Sequence, residues 1–168
     1  DFSIYVGAIE PRKNICNLLV AHEYAVDSGL ISDKLLLISS QSWFDGKVKN
    51  LLSKMQHTHL LSSIEEDELA WIYANTKRVY MTTFYEGYGM PAAEGRAFGA
   101  RVICTDIEEL REATRNQAIY VGTSSIDIYK GIAHSLVKDD LSNIRNFQSS
   151  YDLFEVQITK YLSQLSSF

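Results

Sequence analysis

Six short apolar runs rich in branched residues, at 3–6, 34–38, 58–61, 78–81, 101–104 and 118–121, constrain this chain more than any other feature. Runs of this length without strict alternation read as strands buried on both faces. The segments between them carry helical periodicity. The clearest, 14–28, places Ile15, Leu18, Leu19, His22 and Val26 on one face, with Gly29 following as a stop. Ser63-Ile64-Glu65-Glu66 has the capping-box form and opens a helix through Leu69 and Ile72. Past Val121 the strand signal ends, and 126–137, 141–148 and 151–165 read as three successive helices.

Parallel strands need a crossover, and the crossover is right-handed, so strand–helix alternation predicts an α/β fold. The expected architecture is a doubly wound parallel sheet of about six strands in three αβα layers. Ligands of such sheets bind outside the carboxyl ends of the strands, where the strand order reverses. The loops that follow the strands are therefore where chemistry belongs.

With 168 residues, 46% of them apolar, the chain can bury about two-thirds of its unfolded surface, so one domain over 1–168 is expected. Its net charge of −5, from 16 basic and 21 acidic residues without a long run of either sign, argues against nucleic acid and against direct membrane-surface binding. Any anion site must be local. Cys16 and Cys104 make neither a disulfide framework nor a zinc spacing and are expected to be small buried hydrophobes in a reducing compartment. No apolar stretch approaches the roughly 18 to 20 residues of a membrane span. Asp1-Phe2-Ser3 reads as the start of a strand rather than of a signal peptide, so a cytoplasmic domain cut from a longer protein is expected.

After the first strand, Gly7-Ala8-Ile9-Glu10-Pro11-Arg12-Lys13-Asn14 puts one of only two prolines beside two adjacent cations at a helix start. Helix amides and dipole favour an anion there, and Arg12 and Lys13 would add charge-assisted bonds to a phosphate. The alternative is a solvated first turn. A second element follows the fourth strand: Phe84-Tyr85-Glu86-Gly87-Tyr88-Gly89-Met90-Pro91-Ala92-Ala93-Glu94. Its glycines let a ligand approach the backbone, and Pro91 suits a first helical turn. Glu86 and Glu94 can face the same cleft, and carboxylates accept hydrogen bonds from sugar or ribose hydroxyls. Phosphate-binding and hydroxyl-binding groups together describe a phosphorylated sugar or a nucleotide.

The spacing Glu-x7-Glu enclosing Gly-x-Gly-x-Pro closely resembles the donor-site signature of the retaining family 4 (group 1) glycosyltransferases. Tyr85-Glu86-Gly87-Tyr88-Gly89-Met90-Pro91 is similar to that family's Tyr-Glu-Gly-Phe-Gly-Leu-Pro, and Gly99-Ala100-Arg101-Val102-Ile103 to its Gly-x-Pro-Val-Ile. The likeness runs in order from about Tyr5 to Val121, through a loop at Trp43, and fades in the last helices. It implies a Rossmann-like domain forming the C-terminal half of a GT-B fold, with an N-terminal acceptor domain outside this chain. It also implies a nucleotide-diphosphate sugar, GDP-mannose or a UDP-sugar, as substrate.

By the same resemblance Lys13, with Arg12 beside it, would bind the diphosphate. Gly87 and the amides of Tyr88, Gly89 and Met90 would hold phosphate and sugar, Glu94 the ribose hydroxyls, and Glu86, the catalytic candidate, the transferred sugar. Glu-Pro-Arg-Lys-Asn resembles bacterial mannosyl and related transferases of surface-polysaccharide assembly. Their acceptors are glycans or lipid-linked sugars, which implies a whole enzyme working peripherally at the inner membrane face and an isolated domain without turnover.

No Asp-x-Asp occurs, so no metal or other cofactor is expected, and Lys13 with helix amides would neutralise the leaving group. Departures from the family pattern are Ala8 where many members carry a second Arg, Ser62 in place of Gly, and Arg101 and Arg111 in place of Pro; Arg12 would compensate for Ala8. His57 and His59 lie two apart but lack further ligands at matching spacing, and structural roles are expected. Tyr24, Trp71, Tyr73 and Phe98 read as core or edge packing. Two other function classes fit less well. One is a nucleotide-binding or degenerate transferase module without chemistry; the other is a glycoside hydrolase using Glu86 and Glu94, which a phosphate-shaped loop disfavours.

Overall fold

A computed structural model describes residues 1–40 and 46–137. The helices expected at 141–148 and 151–165 and the loop at Trp43 lie outside the described residues. The six expected strands are all present: β1 (Phe2–Val6), β2 (Lys34–Ile38), β3 (Thr58–Leu61), β4 (Arg78–Met81), β5 (Arg101–Thr105) and β6 (Ile119–Val121). They form one parallel sheet in the order β3-β2-β1-β4-β5-β6. The order reverses between β1 and β4, which places the loops after those two strands side by side.

Inward positions alternate along each strand and divide the core in two. Tyr5, Leu35, Leu37, Tyr80, Ile103 and Val121 face a layer built from α1 (Ile15–Asp27), α2 (Gly46–Leu52) and α6 (Ser125–Val137). Ile4, Val79, Met81, Val102 and Cys104 face α3 (Glu66–Asn75), α4 (Met90–Ala97) and α5 (Glu108–Ala113). The expected three-layer, Rossmann-like arrangement is what the chain adopts. Among the described residues no helix is long and apolar enough to cross a membrane.

Two local readings need correction. The capping box of α3 lies two residues later than expected: Glu65 is the N-cap, and its amide donates to Glu68 Oε2 at 3.0 Å. Ser63, with φ of 59°, is a left-handed turn residue and not the cap. Pro11 likewise opens a single 3-10 turn, Pro11–Lys13, and α1 begins only at Ile15. The Lys13 and Asn14 amides close that turn on the Glu10 and Pro11 carbonyls, so they are not free to receive an anion. Lys13 therefore offers its side chain, whereas its amide is spent.

At the opposite end of the sheet, a buried polar network ties four elements. Ser3 of β1 donates to Asp33, Arg78 of β4 reaches Asp33 at 2.9 Å and Ser135 of α6 at 2.7 Å, and His22 of α1 bridges Asp33 O and the Tyr80 hydroxyl. Cys104 is buried, and burial pushes its thiol up to about 12. Cys16 is only half-buried against the core, short of the full burial expected. Tyr73 stacks on Phe98 at 5.6 Å, Trp71 on Phe2 at 6.3 Å, and Tyr24 meets Tyr129 edge-on, so these aromatics do pack as expected.

Candidate functional site

The strand-order reversal brings Arg12 and Lys13 to the Glu86 loop, and backbone bonds hold them there. The Arg12 carbonyl accepts the Phe84 amide at 2.8 Å and the Thr83 hydroxyl at 2.9 Å. Asn14, in a left-handed conformation that asparagine tolerates, is the junction between the 3-10 turn and α1. Its side-chain amide donates to Thr82 O at 3.0 Å and to Thr123 O at 2.7 Å, so three loops at one sheet edge meet on one residue.

Lys13 is buried, and its ammonium donates to Glu86 Oε2. Arg12 Nη1 lies 3.4 Å from both Glu86 oxygens, while its Nε is held 2.8 Å from Glu10 Oε2 and its head lies over the Tyr85 ring. Burial pushes the Glu86 carboxyl up, but the Lys13 hydrogen bond, the Gly87 amide and the charges of Lys13 and Arg12 together hold it below the usual carboxylate range. Glu86 is thus ionised at neutral pH. It is poorly suited to donate a proton, which weighs against the hydrolase alternative.

Gly87, Tyr88, Gly89 and Met90 lead into α4, with Tyr85, Tyr88 and Met90 exposed along the loop. Gly89 caps the helix at φ 93°, in the left-handed region, and a Cβ there would stand 2.3 Å from Leu110 Cδ2, so any larger residue is strained at this position. Gly95 allows α4 to lie against β4, since a Cβ there would meet Val79 at 2.7 Å.

Glu94 stands about a turn inside α4. No common cation joins it to Glu86 among the described residues; it faces the buried Tyr73 hydroxyl, near enough to help burial push that phenol up but short of hydrogen-bond geometry. The two carboxylates therefore sit in different surroundings, one neutralised by cations and one beside a phenol.

Sequence reasoning missed Asn14, Thr83 and Tyr5, whose hydroxyl donates to Ala8 O at 2.7 Å. An asparagine between a Pro-initiated turn and a helix was the available signal for the first of these. Arg111, a departure from the family pattern, pairs with Asp106 at 2.6 Å and covers the Tyr120 ring. Among the described residues, Glu23, Asp27 and His57 bring three metal-type ligand atoms within 4.8 Å of one another. Glu23 already accepts the Gln56 and His57 amides, and His57 pairs with Asp27 at 3.5 Å. The group joins the β3 edge to α1, and the fold supplies His57 with the acidic neighbours that its spacing in the sequence lacked.

Known proteins are similar to this chain in sequence and in fold. The family described as "Glycosyl transferases group 1" matches residues 1–146. O-antigen chain mannosyltransferase B of Escherichia coli is 25% identical over 142 residues, covering 83% of this chain and 37% of that protein. The serotype-specific mannosyltransferase WbdA of Escherichia coli is 29% identical over 137 residues, 77% of this chain and 16% of that protein. The chain thus spans well under half the length of these curated relatives.

Among solved structures, the C-terminal domain of the group 1 family protein LpcC from Francisella tularensis superimposes with a TM-score of 0.66 at 20% identity, covering 92% of this chain and 85% of that one. The pneumococcal O-GlcNAc transferase GtfA, solved with UDP and GlcNAc, gives a TM-score of 0.66 at 16% identity, covering 99% of this chain and 35% of that one. The family match begins at the first residue and runs through all six strands, both cleft loops and the last described helix; the chain belongs to the group 1 glycosyl transferases.

Proposed function

We propose that the cleft between the loops after β1 and β4 binds a nucleotide-diphosphate sugar, and that this chain is the donor-binding half of a retaining glycosyltransferase. The enzyme would pass the sugar to an acceptor hydroxyl in polysaccharide or glycan assembly. One observation carries the reading: a buried lysine and a neighbouring arginine converge on a carboxylate at the sheet's switch point, where this fold class takes its ligands. A cation seldom loses water at such a place without an anion to meet.

In this reading Lys13 and Arg12 neutralise the diphosphate that leaves. The loop from Gly87 through Tyr88, Gly89 and Met90 offers main-chain donors to phosphate and sugar, and Glu94 takes the ribose hydroxyls. Glu86, ionised and close to both cations, orients the sugar and steadies positive charge developing at its anomeric carbon. The mannosyltransferase names of the relatives favour GDP-mannose over a UDP-sugar as donor. A glycan or lipid-linked acceptor would bind a further domain, with the whole enzyme at the cytoplasmic face of the membrane.

Calorimetric titration with GDP, UDP and ADP tests the reading. At least one should bind, and Lys13→Ala and Glu94→Ala should each weaken it by about 1–3 kcal/mol. Absence of binding by all three would remove the reading. A longer protein containing this chain should transfer sugar and lose turnover, with its donor binding kept, in Glu86→Ala. Binding without turnover in the unaltered protein would favour a module without chemistry.

A further inference from the structure

We propose that Glu86 competes with the diphosphate for Lys13 and Arg12, and thereby sets a preference for a nucleotide sugar over the nucleoside diphosphate that transfer leaves behind. The inference rests on the nucleotide-sugar reading of the cleft. Glu86 Oε2 takes the Lys13 ammonium, and Arg12 Nη1 lies 3.4 Å from each Glu86 oxygen. The Lys13 and Glu86 side chains are only 9% and 13% exposed, so neither charge can shed its partner into water without a replacement.

An arriving diphosphate gives Lys13 that replacement. It also strips Glu86 of its nearest cation and sets a like charge beside it, and the Gly87 amide at 3.2 Å is a small compensation. Arg12 follows only in part, because Glu10 holds its Nε at 2.8 Å. Hydroxyls of a sugar on the diphosphate restore what Glu86 loses, since they donate to a carboxylate. A nucleoside diphosphate without the sugar brings no such donor. The carboxylate therefore penalises the product more than the donor and hastens product release, a specificity that works by repulsion.

Calorimetry on this chain with GDP, UDP, GDP-mannose and UDP-glucose, in wild type, Glu86→Gln and Lys13→Ala, tests the competition. Neutralising Glu86 should tighten nucleoside diphosphate binding roughly tenfold while leaving the sugar nucleotide no tighter, so the ratio of the two affinities moves toward the product. Glu86→Ala removes the same charge and must move the ratio in the same direction, which guards against a folding defect in either variant; circular dichroism checks both. If Glu86→Gln binds the nucleoside diphosphate no better than wild type while Lys13→Ala binds it worse, the competition is wrong and the nucleotide-sugar reading stands. If neither wild type nor the Glu86 variants bind any nucleotide, both fail together.

Discussion

The Asn14 side-chain amide lies 3.0 Å from the Thr82 carbonyl, which ties the turn carrying Lys13 to the end of the strand that launches the Glu86 loop. A second donated bond, 2.7 Å to Thr123 O, brings in the loop before α6, and the residue is buried. Asn14→Asp keeps the size and left-handed tolerance of the side chain but turns both donors into acceptors facing carbonyls. Its unfolding free energy in urea should drop by about 3 kcal/mol. Asn14→Gly keeps the turn and loses only the bonds, so it should be the milder variant. An aspartate variant as stable as wild type would show that these bonds do not hold the loops together.

The sheet was legible in the sequence because strands buried on both faces leave continuous apolar runs, and each run marks one strand to within a residue. The pairing of Lys13 with Glu86 was not legible in the same way. It depends on β1 and β4 becoming neighbours, and hydrophobic periodicity carries no strand order. The partners of Asn14 were hidden for a related reason: they are backbone carbonyls 68 and 109 residues away, which no side-chain pattern announces. The α3 cap was misplaced because Ser63 has the right chemistry for a cap but lies in a left-handed turn. Arg78 opens the fourth apolar run, and nothing near it in sequence announces the Asp33 carboxylate, 45 residues earlier, that lets it be buried.

The two loop glycines should respond differently to a methyl group. At Gly89 the backbone is left-handed and the added Cβ would press on Leu110 Cδ2 at 2.3 Å, so Gly89→Ala should lose about 1–3 kcal/mol through strain and overpacking. At Gly87 nothing lies within 4 Å of the added Cβ, and Gly87→Ala should stay within about 0.5 kcal/mol of wild type. Thermal unfolding of both variants measures the contrast. Equal losses would mean that the α4 cap is not held against α5.

Arg78 and Asp33 form a buried pair at the sheet end remote from the cleft, with side chains 4% and 6% exposed. Arg78→Met leaves the Asp33 carboxylate buried and should lower stability by about 3–5 kcal/mol. Asp33→Asn in the same chain should recover part of that loss by removing the stranded charge. Nucleotide affinity of the double variant should match wild type, because the network touches neither cleft loop. A loss of affinity would reveal coupling through the sheet.

His22 makes stability depend on pH in a direction opposite to that of an exposed ion-paired histidine. Burial pushes its pKa down to about 4; the neighbouring Asp33 raises it in part, and Arg78 and His57 lower it further. Its Nε2 lies 2.9 Å from the Asp33 carbonyl, which can only accept, so Nε2 carries the hydrogen and Nδ1 accepts from Tyr80. In the unfolded chain the ring takes a proton near pH 6.5. Above that pH both states are neutral and His22 contributes nothing to the pH dependence. Between about 6.5 and about 4 the unfolded state binds a proton that the native state refuses, so stability falls as pH falls, by on the order of 3 kcal/mol over the window. Below about 4 the native ring also protonates and this loss levels off. His22→Gln can donate to the same carbonyl and accept from the same phenol without titrating. The stability advantage of wild type over that variant should therefore shrink steadily from pH 7 to pH 5 in urea unfolding. Parallel curves would mean that His22 titrates alike in both states, and the buried network would then carry its charge without penalty.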